Sequence, residues 1–176
     1  DTLVSKNDLA GTLLKRGDLD GAERLLREVL EAQERTLGIE HPDTLTSKNE
    51  LAITLQDRGD LDGAERLQRE VLEARERNLG IEHPDTLTSK NNFASTLRER
   101  GDLDGAERLQ REVLEARERI FGIEHPETVT SKINLASMLH DRGDLDGAER
   151  LQREALEALE RKLGIEHPRT LTSKSN

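Results

Sequence analysis

The chain has 176 residues, of which 32% are hydrophobic and 36% charged; it carries a formal net charge of −10 and contains no cysteine, Trp or Tyr. Lack of cysteine excludes a disulfide framework and thiolate metal sites. An acidic balance without basic tracts argues against nucleic-acid and anionic-membrane partners, and no apolar run approaches the ~20 residues of a membrane span. So polar a composition leaves disorder open, but the strict placement of the apolar residues overrides the bulk count.

That placement is periodic. Gly-Asp-Leu-Asp-Gly-Ala-Glu-Arg-Leu begins at Gly17, Gly59, Gly101 and Gly143, and Ile-Glu-His-Pro ends at Pro42, Pro84, Pro126 and Pro168, a period of 42 without insertion or deletion. Residues 43–84 and 85–126 share 35 of 42 positions, the mark of recent duplication or deliberate design. Each period predicts two helices, giving pairs at about 1–37, 43–79, 85–121 and 127–163 within residues 1–166. Residues 167–176 open a fifth unit with His167-Pro168-Arg169-Thr170-Leu171, as in a piece of a longer array.

The second period shows the local logic. Pro42 suits the first helical position, where a missing N–H costs nothing. Leu45, Leu51, Ala52 and Leu55 mark the first helix, and Gly59 a left-handed stop. Asp60 is the N-cap of the second helix, whose apolar positions are Leu61, Ala64, Leu67, Val71, Leu72, Ala74 and Leu79. Gly80 ends it, and Ile81 in the connector is expected to tuck into the junction between repeats. Gly63, early in the second helix, is read as a point of close helix approach. Glu65 with Arg69, and Glu73 with Arg77, are spaced for i, i+4 pairing. One such pair of helices cannot bury its own apolar face, but stacked neighbours can.

The pattern Asn49-x-Leu51-Ala52-x-x-Leu55-x-x-x-Gly59-Asp60-Leu61-x-x-Ala64 resembles the tetratricopeptide repeat (TPR). The period and the Leu-Gly-x-x-His-Pro connector resemble its 42-residue kinesin light chain and nephrocystin-3-like branch. The resemblance covers essentially the whole chain. It implies an all-α, helical-hairpin repeat solenoid, a right-handed superhelix of four full repeats plus a truncated fifth. It also implies peptide binding in a concave groove lined by the first helices, often through Asn side chains, here Asn7, Asn49, Asn91, Asn92 and Asn134. The chain departs from the family where aromatic residues are common in the second helix: Gln68, Gln110 and Gln152 stand there, with Leu26 in the first repeat.

Where the repeats differ, they differ mostly in the first helices. Equivalent sites read Asp8, Glu50, Asn92 and Asn134; Gly11, Ile53, Ser95 and Ser137; Leu14, Gln56, Arg98 and His140; and Lys15, Asp57, Glu99 and Asp141. Asn49, Ile53 and Gln56 are spaced i, i+4, i+7 and share one helix face. The candidate groove is therefore Asn7, Asn49, Glu50, Ile53, Gln56, Asn91, Asn92, Ser95, Arg98, Asn134, Ser137 and His140. Amides there can pair with the N–H and C=O of an extended peptide. Drift at solvated sites is the competing account.

No constellation points to catalysis or a cofactor. His41, His83, His125 and His167 occupy one structural position per repeat, too far apart to ligate one zinc ion at ~2.0–2.1 Å, and are read as starting each first helix with Pro. Ser47, Ser89 and Ser131 recur like scaffold and lack a nucleophile elbow; the glycines form neither a P-loop nor a dinucleotide fingerprint. The expectation is a non-catalytic, cytoplasmic protein- or peptide-binding scaffold without cofactor, nucleic-acid or membrane partner. The alternatives are a spacer or end-to-end self-assembling array, or the sensor arm of a larger signalling protein.

Overall fold

The computed structural model describes residues 2–163. Eight helices follow one another: α1 Thr2–Lys15, α2 Leu19–Thr36, α3 Pro42–Asp57, α4 Leu61–Leu79, α5 Pro84–Glu99, α6 Leu103–Phe121, α7 Pro126–Asp141 and α8 Leu145–Leu163. The expected start of a fifth repeat, including His167 and Pro168, lies outside the described residues. Two compact units divide the chain after Arg100, α1–α5 in the first and α6–α8 in the second.

Local chemistry sets the helix ends. Pro42 and Pro84 occupy the start of α3 and α5, and the preceding His41 and His83 act as N-caps. Their Nδ1 atoms accept from the backbone N–H of Asp43 at 3.2 Å and of Asp85 at 3.1 Å, satisfying a donor the helix cannot. The histidine at this position is thus a cap. Asp60 caps α4 by accepting from Gly63 N at 3.0 Å. A Cβ on Gly63 would lie 2.5 Å from that carboxylate and 3.1 Å from Leu55 Cδ1. Glycine there serves both the cap, which is the tighter contact, and the close approach of Leu55 on α3. Gly59 has φ +85° and stops α3 as expected. Gly80 caps α4 at φ 93°, ψ 160°, a region essentially reserved to glycine.

In the first unit α1 packs on α2, α2 on α3, α3 on α4 and α4 on α5. Its core is shared between hairpins: Ala10, Leu26, Leu30, Leu51, Leu55 and Ala64 form one buried cluster, flanked by Leu25 and Leu67. Leu45, Val71 and Ala74 form another. The second unit repeats the scheme with Leu114, Leu135, Ala136, Leu139, Ala148 and Leu151, and with Val129, Ala155, Ala158 and Leu159. A fully buried Leu or Val contributes about 1.5–3 kcal/mol, so stability rests on neighbours covering each other.

Polar clamps reinforce these contacts. Buried Arg75 on α4 donates to Asp85 O at 3.1 Å and to Ser89 Oγ at 2.9 Å, both on α5. In the second unit Arg117 on α6 does the same toward Glu127 O and Ser131 Oγ, at 3.3 and 2.9 Å. At the equivalent place in α2 stands Gln33, too short for this reach. Gln33 Oε1, Thr44 Oγ1 and Ser47 Oγ are buried with no hydrogen-bond partner among the described residues.

Two expectations fail here. Ile81 does not tuck into the junction: it is 61% exposed, and Ile39 and Ile123 behave alike at 63% and 57%. The four-residue connector turns back on itself, and in the second unit the buried Thr128 closes the junction by donating to Gly122 O at 2.8 Å. Arg77 does not pair with Glu73; it reaches Glu40 at 2.7 Å. The Glu65–Arg69 pair forms, at 2.5 Å.

Candidate functional site

Helices α1, α3 and α5 present their variable faces to one another. Asn92 Nδ2 donates to Asn49 Oδ1 at 3.1 Å, and Asn7 Nδ2 to Glu50 Oε2 at 3.5 Å. Both bonds join residues 43 apart, one more than the sequence period. Farther along, Gln56 Nε2 donates to Ser95 Oγ at 3.1 Å and to the Glu99 carboxylate, while Gln56 Oε1 accepts from Thr96 Oγ1 at 2.9 Å. The result is a polar ladder, half-buried, running across three first helices. Each neutral rung contributes about 0.5–1.5 kcal/mol.

The rungs are not all closed. The Asn49–Asn92 bond uses one end of each amide; Asn49 Nδ2 and Asn92 Oδ1 have no hydrogen bond among the described residues. Turning both amides over leaves the same count, one donor and one acceptor. Asn7 Oδ1 is likewise buried without a hydrogen-bond partner among the described residues. Burial pushes the Glu50 carboxyl above its ordinary value, because the long Asn7 bond replaces little of the lost hydration.

The structure thus brings together six of the expected residues: Asn7 on α1, Asn49, Glu50 and Gln56 on α3, and Asn92 and Ser95 on α5. Ile53 lies on α3, 37% exposed. Asn91, half-buried, and Arg98, exposed, are also on α5. Asn134, Ser137 and His140 belong to α7 in the second unit. There His140 is open, its side chain 68% exposed, with Nδ1 3.9 Å from Asp141. Two ladder members, Thr96 and Glu99, were not among the expected site residues. Thr96 repeats Thr54 and so carries no mark of difference; Glu99 stands at one of the variable sites, and its 43-residue offset from Gln56 is the signal that would have singled it out.

Among the described residues the histidines share no metal position. His41, His83 and His125 each accept their own helix's N–H, and among the described residues no group of three or more His, Asp or Glu side chains could hold an ion. Among the described residues no helix is long and apolar enough to cross a membrane.

A family model of the tetratricopeptide repeat matches residues 1–77, 46–119 and 85–161. Crystal structures give the same fold. Nearly identical TPR-like repeats of the kinesin light chain type from Podosopora anserina superpose with a TM-score of 0.87 at 29% identity, covering 98% of this chain and 82% of that one. BtubC (BKLC) from P. vanneervenii gives 0.80 at 26% identity, over 94% of this chain and 66% of that one. The apo form of RapI gives 0.79 at 14% identity, covering 98% of this chain and 60% of that one, a likeness of fold alone. No curated protein matches this chain. Capped helix pairs, cores shared between neighbours and a family match from residue 1 to 161 agree: the chain is an all-α, helical-hairpin repeat protein of the tetratricopeptide repeat family, whose members generally serve as non-catalytic scaffolds for protein partners.

Proposed function

We propose that the chain binds an extended peptide along the faces of its first helices, with residues 1–166 read as four repeats and 167–176 as the start of a fifth. The observation that carries this reading is the open amide pair, Asn49 Nδ2 and Asn92 Oδ1, on the ladder across α3 and α5. One donor beside one acceptor matches the alternating C=O and N–H of an extended backbone. Around this pair stand the side chains that differ between otherwise near-identical repeats: Glu50, Ile53, Ser95 and Arg98. They would read the peptide's side chains while the amides hold its backbone. Asn134, Ser137 and His140 on α7 would play the same role within the second unit.

The test is peptide display against the chain, with Asn49→Ala and Asn92→Ala together as the control protein. Enrichment of a common motif that the control loses supports the reading. Loss of two peptide-backbone bonds lowers affinity by about 5- to 100-fold. No enrichment, or equal enrichment on both proteins, defeats it.

A further inference from the structure

Acidic side chains withdrawn from solvent in the first unit come with a cation. Glu23 pairs with Arg27 and Arg58, Glu34 with Lys48, Glu65 with Arg69 and Arg100, and Glu76 with Lys90. Glu50 is the exception. It is half-buried on α3, and among the described residues its carboxylate has one hydrogen bond, the 3.5 Å contact from Asn7, and no ion pair. A withdrawn carboxylate without a cation is costly, and a bond that long offsets little of the cost.

Three lysines on these first helices are committed elsewhere: Lys6 to Glu28, Lys48 to Glu34 and Glu70, and Lys90 to Glu76. The variable sites of α1, α3 and α5 are acidic in balance, with Asp8, Glu50, Asp57 and Glu99 against Lys15 and Arg98. Apolar surface lies next to the unpaired carboxylate. Ile53 is three residues on from Glu50, the spacing of side-chain neighbours on a helix, and is 37% exposed. The equivalent places read Asp8 with Gly11, Asn92 with Ser95 and Asn134 with Ser137, so the pairing of Glu with Ile is particular to α3. It also follows directly on Asn49, a member of the open amide pair. A carboxylate beside an aliphatic side chain suits a ligand side chain with a methylene stem and a charged head.

We infer that Glu50 is the subsite for a lysine or arginine side chain of the bound peptide. The cation meets the Glu50 carboxylate, its stem lies along Ile53, and the peptide backbone runs on the amides of Asn49 and Asn92. The ligand thus brings the partner that the fold itself gives to Glu23, Glu34, Glu65 and Glu76. The inference rests on the peptide-binding reading above and adds to it the chemical identity of one ligand residue.

Peptide display from one random library, run on three proteins, tests it: the parent, Glu50→Gln, and Asn49→Ala combined with Asn92→Ala. The parent enriches a motif with lysine or arginine at one fixed position. Glu50→Gln, which keeps the shape of the side chain and the helical circular dichroism, enriches the same motif without the preference at that position. The double alanine protein loses the motif altogether. The best parent peptide is then made with norleucine in place of its fixed cation and titrated against the parent and Glu50→Gln. The change weakens binding about 10- to 100-fold on the parent, the range of a hydrogen bond to a charged group, and less than about threefold on Glu50→Gln, because the two changes remove one interaction. A motif without a fixed cation overturns the inference, as does a cation preference that Glu50→Gln retains or equal weakening on both proteins; in each case the peptide reading stands. Absence of any enriched motif defeats the peptide reading, and the subsite falls with it.

Discussion

Gln68 supplies the sharpest test of the packing argument. It is 1% exposed on α4, and neither its Nε2 nor its Oε1 finds a hydrogen-bond partner among the described residues. One period earlier the same place is held by Leu26, also 1% exposed and part of the cluster with Ala10, Leu30, Leu51 and Leu55. The chain therefore contains its own apolar template. Replacing Gln68 by Leu removes the cost of a buried unsatisfied amide, about 1–3 kcal/mol. Leucine adds apolar burial, offset by about 1–3 kcal/mol if its branched end crowds neighbours. The net expectation is a gain of about 2 kcal/mol. With a urea m-value of about 2 kcal/mol/M, the unfolding midpoint moves up by about 1 M. Leu26→Gln is the reciprocal experiment and costs about 2–4 kcal/mol. Urea unfolding followed by circular dichroism reads both. An unchanged or lowered midpoint for Gln68→Leu refutes the reasoning, because it means the amide contributes a bond that leucine cannot replace.

Other expectations follow from single side chains. Gln33→Arg supplies the clamp that Arg75 provides between α4 and α5; amide hydrogen exchange in α2 and α3 slows by about fivefold, one net bond's worth, and unchanged exchange counts against the clamp. Asp60→Ala removes the α4 cap and lowers stability by about 1 kcal/mol in urea titration. Gly80→Ala places a Cβ at φ 93° and costs about 1–3 kcal/mol in the same assay. For Glu50 the folded pKa lies above the unfolded one, so the folded state binds the extra proton. Its stabilisation is complete below the unfolded carboxyl value of about 4.3 and is lost as pH rises through the folded value. Comparing pH titrations of stability for the parent and Glu50→Gln isolates the effect: the parent loses stability relative to the variant on raising pH from 4 to neutrality, and parallel curves would contradict the assignment.

The helices were legible because their signals are local. Pro42, Gly59, Asp60 and Gly80 act within a turn of where they stand, so a single period set the helix ends to within a residue or so. Gln68 was legible as an anomaly, an amide in an aromatic slot, although its burial without partners was not. Ile81 misled because apolar character was taken for burial, while a connector this short puts the residue on the outside of the turn. Gly63 was half legible: Leu55 of α3 does approach it closely, but sequence alone does not reveal that the Asp60 carboxylate fills the space of its missing Cβ. The ladder was half visible. Period and helix phase placed Asn49 and Gln56 on one face, but lateral bonding depends on how neighbouring first helices slide past each other. Near-identical repeats leave no trace of that slide.

The slide itself has a mechanical consequence. The Asn7–Glu50, Asn49–Asn92 and Gln56–Glu99 bonds join residues 43 apart in a chain that repeats every 42, so these rungs lean one residue along the helices, about 1.5 Å of helix rise, while Gln56 also reaches back to Ser95 and Thr96, 39 and 40 residues on. Apolar contacts between such helices are non-directional and resist sliding weakly. Hydrogen bonds at about 3 Å are directional and weaken steeply when misaligned, so they act as teeth. A force drawing α3 past α5 must first break the Asn49–Asn92 and Gln56 bonds and then re-engage them elsewhere. The face that carries the ladder is consequently stiff in shear along the helices, and its give lies in the spacing between them.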